Sequence, residues 1–263
     1  MRIKEVRKET NRVLLLEAGD VFGRSVQIER KKAELSIEAM ARMGYDAYNL
    51  GARELIFGQE FIKSRTANSD IPLLCANVML AEEGVPFAAP YIIKDLGGVR
   101  VAVVGLMSNL FIAPRHKAED RPILVRDYLE LASRLIPELQ RQCQVVIVLG
   151  HLTLDEAGEL AEKTPGITAI ILAWGMGIID PPLEHNGTLI LSAGTQATHL
   201  GELYLEIGLN GKLLSHDSRI TPLDKKIPDD PEIASLLVAK GFPFSGPNEP
   251  QLPEGDELKI RRP

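Results

Sequence analysis

The sequence predicts an α/β protein, a mixed two-sheet sandwich flanked by helices, and three observations carry that prediction. Short apolar runs alternate with amphipathic stretches from early in the chain, the rhythm of β-α-β units. Val145 to Leu149 (VVIVL) and Ile167 to Ala173 (ITAIILA) are apolar without interruption, as strands covered on both faces are. Beyond Pro181-Pro182 the texture changes to runs joined by Asn210-Gly211, a turn pair typical of antiparallel hairpins.

Taken in order, Val13 to Glu17 (VLLLE) reads as a buried strand, and Ala18-Gly19-Asp20 as its exit turn. Residues 28–43 place Ile28, Leu35, Ile37, Met40 and Met43 among charges, which fits a helix stopped by Gly44. Strand-like stretches come next at Asp46 to Leu50 and Pro72 to Val78, with a helix over 54–65 between them. Tyr91 to Leu96 and Val99 to Leu106 flank Gly97-Gly98, whose freedom at positive φ suits a tight hairpin turn. Residues 126–142 form an amphipathic helix pattern with Pro137 inside it, a position where a kink is expected. A helix over 154–163 separates the two continuous apolar runs. Strands are expected over Thr188 to Ser192, Leu200 to Leu209 and Lys212 to Ile220, and a last helix over 231–240.

The 263 residues are 45% hydrophobic and 25% charged, a mix that fills one large core. We expect a single domain over residues 1–241, with a Pro- and Gly-rich tail over 242–263 that wanders over the surface. Thirty basic against 36 acidic residues give a net charge of −6, which argues against nucleic acid as the main partner. No apolar run approaches the roughly 20 residues that span a bilayer. The opening MRIKEVRKET is charged and lacks the apolar stretch of a signal peptide. Cys75 and Cys143 each adjoin an apolar run and read as two buried thiols. Together these features point to the cytoplasm.

Several segments resemble the catalytic domain of the 5′-nucleotidase type of calcineurin-like metallophosphoesterase. Leu15-Leu16-Glu17-Ala18-Gly19-Asp20 is similar to that family's second motif. Met43-Gly44-Tyr45-Asp46-Ala47, Leu50-Gly51-Ala52-Arg53-Glu54 and Phe57-Gly58 resemble its GYDA…GNHEFDFG segment. Pro72-Leu73-Leu74-Cys75-Ala76-Asn77-Val78 is similar to PLLSANV, and Val145 to His151 to VVIVLSH. Pro165 to Met176 lies where the family has PGIDLIIGGHSH. Leu200-Gly201-Glu202-Leu203 and Asp230-Pro231-Glu232 fall into the same order, so the resemblance runs over about residues 3–240.

The resemblance implies two divalent metals and hydrolysis of a phosphoric ester, often outside the cytoplasm, yet most of the implied ligands are replaced. The family's first strand ends in Asp-x-His, whereas this chain opens on what looks like the helix after that strand. Ala52 stands where the family has a ligating Asn, and Arg53 where a His works on the phosphate. Trp174 and Met176 stand in place of two ligating His. Asp20, which would bridge the metals, and His151 are retained. The chain also ends before a C-terminal nucleotide-specificity domain. Paired ions about 3.5–4 Å apart need about three protein ligands each. One carboxylate and one imidazole do not supply them, so neither bound metals nor any other cofactor is expected, and no catalytic residue either.

Three functions stand as expectations. The first is a degenerate, non-catalytic relative kept as an interaction or structural module. The second is a phosphoric ester hydrolase with a site remodelled from Asp20, His151 and Glu54. The third is a phosphate or nucleotide binder built on Arg53. Arg53 is expected to pair with Asp20, its permanent charge standing in for a lost ion. His151, His185, His199 and Trp174 are read as structural or surface residues. In the family the first strand lies beside the strand represented here by residues 13–17. Its absence leaves unpaired backbone groups on a buried strand, so a protein partner, a second copy or the chain's own tail is expected to cover that edge.

Overall fold

A computed structural model describes residues 1–23, 26–67, 69–111, 122–173, 177–209 and 211–242. The described helices are α1 (Arg2–Glu9), α2 (Val26–Met43), α3 (Ala52–Ile56), α4 (Gln59–Ala67), α5 (Tyr128–Gln140), α6 (Leu154–Lys163) and α7 (Pro231–Ala239). The strands of one sheet layer are β1 (Leu16–Glu17), β2 (Ala47–Asn49) and β3 (Leu73–Leu74), all parallel. A small sheet beside them joins β4 (Val78–Leu80) to β5 (Val85–Pro86) and β8 (Ile123–Val125).

Facing the first layer is a six-stranded mixed sheet. Its strands are β6 (Tyr91–Asp95), β7 (Arg100–Met107), β9 (Val145–His151), β10 (Ala169–Leu172), β11 (Ile178–His185) and β12 (Thr188–Ala193), in the order β11-β12-β10-β9-β7-β6. The hairpin β13 (His199–Ile207) and β14 (Leu213–Pro222) pairs only with itself among the described residues.

Alternation along the central strands explains the layering. On β7 and β9, Ala102, Val104, Leu106, Val146 and Val148 face outward against α5 and α6. Their neighbours Val101, Val103, Val145, Ile147 and Leu149 face inward, against Ala47 of β2 and Leu74 of β3. A third apolar cluster, packed with α2, α3 and α4, sets Phe22 edge to face against Phe57 and Phe61. The result is helices, sheet, sheet, helices: the mixed sandwich that the apolar pattern predicts, with its chemistry-bearing loops at the carboxyl ends of β1, β2 and β9. Both cysteines are buried free thiols, and no helix among the described residues is long and apolar enough to cross a membrane.

Four elements differ from expectation. Strand pairing in β1 shrinks to Leu16–Glu17, because no partner lies on its second side among the described residues. The single helix over 54–65 is two helices, broken where Gly58 takes φ 89°, a left-handed value that ends helices. β11 contains Pro181 and Pro182, which argue against a central strand; it is an edge strand, where missing N–H groups do no harm. Pro137 lies within the continuous helix α5. The expectations for Trp174, Met176, Asn210 and the tail after Phe242 lie outside the described residues.

Candidate functional site

The carboxyl end of β1 turns sharply into the site. Gly19 (φ 116°) and Asp20 (φ 61°) both occupy positive φ. A Cβ on Gly19 would lie 3.1 Å from the Asn49 carbonyl oxygen, so the turn presses directly against β2. Positive φ is uncommon for a residue with a side chain, and such residues persist only where their surroundings hold them. Here three groups hold the Asp20 carboxylate. The Arg53 backbone N–H donates to Oδ1 at 2.9 Å, the His151 Nε2 lies 3.2 Å from the same oxygen, and the Arg53 Nε is 3.5 Å from Oδ2.

Each partner arrives on a different element. Arg53 lies in the first turn of α3, His151 ends β9, and Asp20 comes just after β1. The His151 side chain is fully buried, Asp20 is 8% exposed, and Arg53 stays 30% exposed. Burial pushes the Asp20 carboxyl up, but the His151 hydrogen bond and charge, together with the Arg53 amide and guanidinium, outweigh it. The carboxyl is held below its ordinary range, which keeps Asp20 ionised.

Glu54 is fully buried and its position corrects one expectation. Its Oε2 accepts from the backbone N–H of Asp20 at 3.1 Å and of Gly51 at 2.8 Å. Its Oε1 accepts from Phe22 N–H at 3.1 Å. The carboxylate is thus the internal brace of the loop carrying Asp20, and it is not presented to a substrate. Burial, with the Asp20 charge beside it, pushes the Glu54 carboxyl up against those backbone donors. Gly51 makes this brace possible: a Cβ there would lie 2.4 Å from Asp20 Oδ1 and 2.7 Å from Glu54 Oε2.

Behind these residues stand two buried asparagines. Asn49 Nδ2 donates to the carbonyls of Ala18 (3.3 Å) and Leu106 (2.9 Å), tying the turn to β7. Asn77 donates to the Met107 and Arg126 carbonyls at 2.7 and 2.9 Å, and accepts from Met107 N–H at 2.9 Å. The PLLCANV match finds Asn77 but does not show that it is a clamp. One further acid, Glu17, carried no signal beyond ending an apolar run. It faces away from Asp20's partners into a cavity beside β1, where burial, with the charges of Glu54 and Asp20, pushes its carboxyl up to about 7.

Among the described residues, no three His, Cys, Asp or Glu side chains converge as a metal ion requires. Ala52 offers no donor, and a guanidinium lies against Asp20 where a bridging cation would be bound. These donors do not fit a pair of divalent ions. His185 is exposed and His199 partly buried on the hairpin side, both remote in sequence and element from the Asp20 cluster.

Fold and site together define the class that this chain resembles: its fold is that of the 5′-nucleotidase type of metallophosphoesterase, and its curated relatives include nucleotidases and phosphoesterases. The chain is 27% identical over 276 residues to the trifunctional nucleotide phosphoesterase YfkN of Bacillus subtilis, covering 90% of this chain and 19% of that protein. It is 27% identical over 178 residues to a 5′-nucleotidase of Vibrio cholerae, covering 67% of this chain and 32% of the relative. The solved structure of the sulfate thiohydrolase SoxB of Thermus thermophilus superposes with a TM-score of 0.79 at 18% identity, over 91% of this chain and 45% of that one. The chain therefore spans no more than a third of the length of these two curated relatives. No family model matches it.

Proposed function

We propose that this domain is a non-catalytic relative of the nucleotide phosphoesterases, serving as an interaction or structural module. The observation that carries this reading is the Arg53–Asp20–His151 contact: the carboxylate expected to bridge metals already has a guanidinium and an imidazole against it. Displacing that guanidinium for a divalent ion would leave two cations competing for one carboxylate, which is electrostatically unfavourable at low dielectric. Buried free thiols at Cys75 and Cys143 favour a reducing compartment such as the cytoplasm.

Elemental analysis of the purified protein, paired with turnover of an aryl phosphate in added Mn²⁺ or Zn²⁺, tests the reading. The expected result is substoichiometric metal and no turnover above buffer. Two equivalents of divalent ion, with turnover abolished in Asp20→Ala, would instead establish a remodelled hydrolase.

A second reading has its own observation. Arg53 remains partly exposed and makes its closest carboxylate contact through Nε, which favours capture of a phosphate or nucleotide by the rest of the fork. Thermal upshift by inorganic phosphate or a nucleoside monophosphate, absent in Arg53→Ala, is the result that supports it.

A further inference from the structure

A cavity of about 580 Å³ lies between β1 and β13, over the inward face of the six-stranded sheet. That volume falls within the range of roughly 300–1,000 Å³ typical of small-molecule sites. Val101, Val145, Ile147 and Ile171 form its floor, and Leu16 and Leu205 stand on its two walls. The start of α1 closes one side. This helix buries none of its residues and rests on polar contacts, with Arg2 to Glu202 at 2.9 Å and Lys4 to Asp230 at 2.7 Å, so it covers the cavity without filling it. Asp20, Arg53 and His151 are not among the lining residues, and the cavity offers chemistry that the Asp20 cluster does not.

Three acids line the cavity, and side chains already satisfy two of them. Glu202 holds Arg2 in a fork, through Nε at 3.0 Å and Nη2 at 2.9 Å, and it also accepts from the Tyr204 hydroxyl. Asp180 accepts from the Ser218 hydroxyl. The third acid, Glu17, is held by backbone: its carboxylate accepts from Ala18 N–H at 3.0 Å and from Gly19 N–H. Arg12, the other basic side chain of the lining, is exposed and lies against the hairpin turn at Gly97. An ionised carboxylate has about four acceptor sites, so two backbone donors leave Glu17 able to take a cation. Its burial beside the charges of Asp20 and Glu54 makes a cation there more favourable still. Tyr45 also lines the cavity, close enough for the Glu17 charge to act on its hydroxyl, and its ring can add a cation–π contact.

We propose that this cavity binds an amphipathic amine, with one ammonium group against Glu17 and an apolar body over the valine and isoleucine floor. Charge selects the head group. A carboxylic acid would meet Glu17 as a like charge, and an alcohol would leave the buried carboxylate uncompensated. The floor selects the body, since its side chains are apolar and cannot pair a phosphate or a ribose. A nucleotide is therefore a poor fit here, and the cavity adds a ligand class to those considered for Arg53.

Isothermal titration calorimetry of the full chain with octylamine, octanol and octanoate at neutral pH tests the proposal, because the three probes share a tail and differ only in the head group. Octylamine is expected to bind at about one site per chain and roughly tenfold or more tighter than octanol, with octanoate the weakest. In Glu17→Gln the amine should fall to the level of the alcohol, while the alcohol is unchanged. Ile171→Phe, which fills the floor, should weaken both. The ranking of head groups in the unaltered chain decides the matter even if a variant fails to fold. No uptake of octylamine, equal affinity for amine and alcohol, or preference for the acid overturns the proposal. So does amine binding that survives both substitutions, which places it elsewhere on this acidic chain. A stable dimer by light scattering that takes up no octylamine assigns the cavity to a second copy and overturns it too.

Discussion

Asp20 holds a left-handed backbone (φ 61°), a conformation that asparagine tolerates as readily as aspartate. Asp20→Asn therefore removes the charge without straining the turn, and it isolates the contacts with Arg53 and His151. We expect a loss of about 1–3 kcal/mol near neutral pH, measured by urea denaturation, because a buried charged acceptor for Arg53 and His151 is replaced by an amide that satisfies them poorly. The carboxyl of Asp20 is held below its unfolded value of about 3.9, so its stabilisation is present above that value and is lost as pH falls through the folded one. The difference between wild type and Asp20→Asn should accordingly shrink in acid. A difference that is constant with pH would mean that the charge is not what the partners hold. The meeting of Asp20 and Arg53 was legible in sequence, because two ordered motifs placed both at strand ends. Glu54 was not, because nothing in a linear pattern distinguishes a carboxylate aimed at a substrate from one filled by three backbone donors.

At the scale of elements, the chain two residues beyond His151 is held by the cap of the next helix. Thr153 caps α6: its hydroxyl accepts from Glu156 N–H at 3.2 Å, and Glu156 Oε2 accepts from Thr153 N–H at 2.8 Å. The other oxygen of Glu156 accepts from the Ser108 hydroxyl at 2.5 Å, tying the residue that follows β7 to the first turn of α6. Thr153→Ala should cost about 1 kcal/mol, the usual worth of an N-cap, read as a lower denaturation midpoint with unchanged slope. Glu156→Ala should cost more, since it breaks both the box and the Ser108 tie; equal costs would remove the tie from the account. Long apolar runs made most strands legible, and regular apolar spacing did the same for α2, α5 and α6. β11 was hidden by Pro181-Pro182, whose harm depends on whether a neighbouring strand needs their N–H groups, and that is a fact of sheet order. The split of α3 from α4 was hidden for a similar reason: a glycine inside a helical pattern ends the helix only if its φ turns positive.

At the scale of the whole molecule, the burial of Glu17 links stability to pH. Raised by burial and by the charges of Glu54 and Asp20, Glu17 has a folded value of about 7 against an unfolded value of about 4.3. Between the two, the folded chain binds more protons than the unfolded one, so stability falls as pH rises through that window and levels off above it. Beside Glu17 are the carboxylates of Asp20 and Glu54 and the ring of Tyr45, together with the amides of Ala18 and Gly19, and Arg2 and Arg12 line the same cavity. Glu54 is shifted in the same direction, so both acids contribute to the profile. Glu17→Gln should flatten the loss of stability between about pH 5 and about pH 8, read by urea denaturation across that range, and leave only the share of Glu54. A pH profile identical in wild type and Glu17→Gln would show that the Glu17 carboxyl does not bind its proton more tightly in the folded chain.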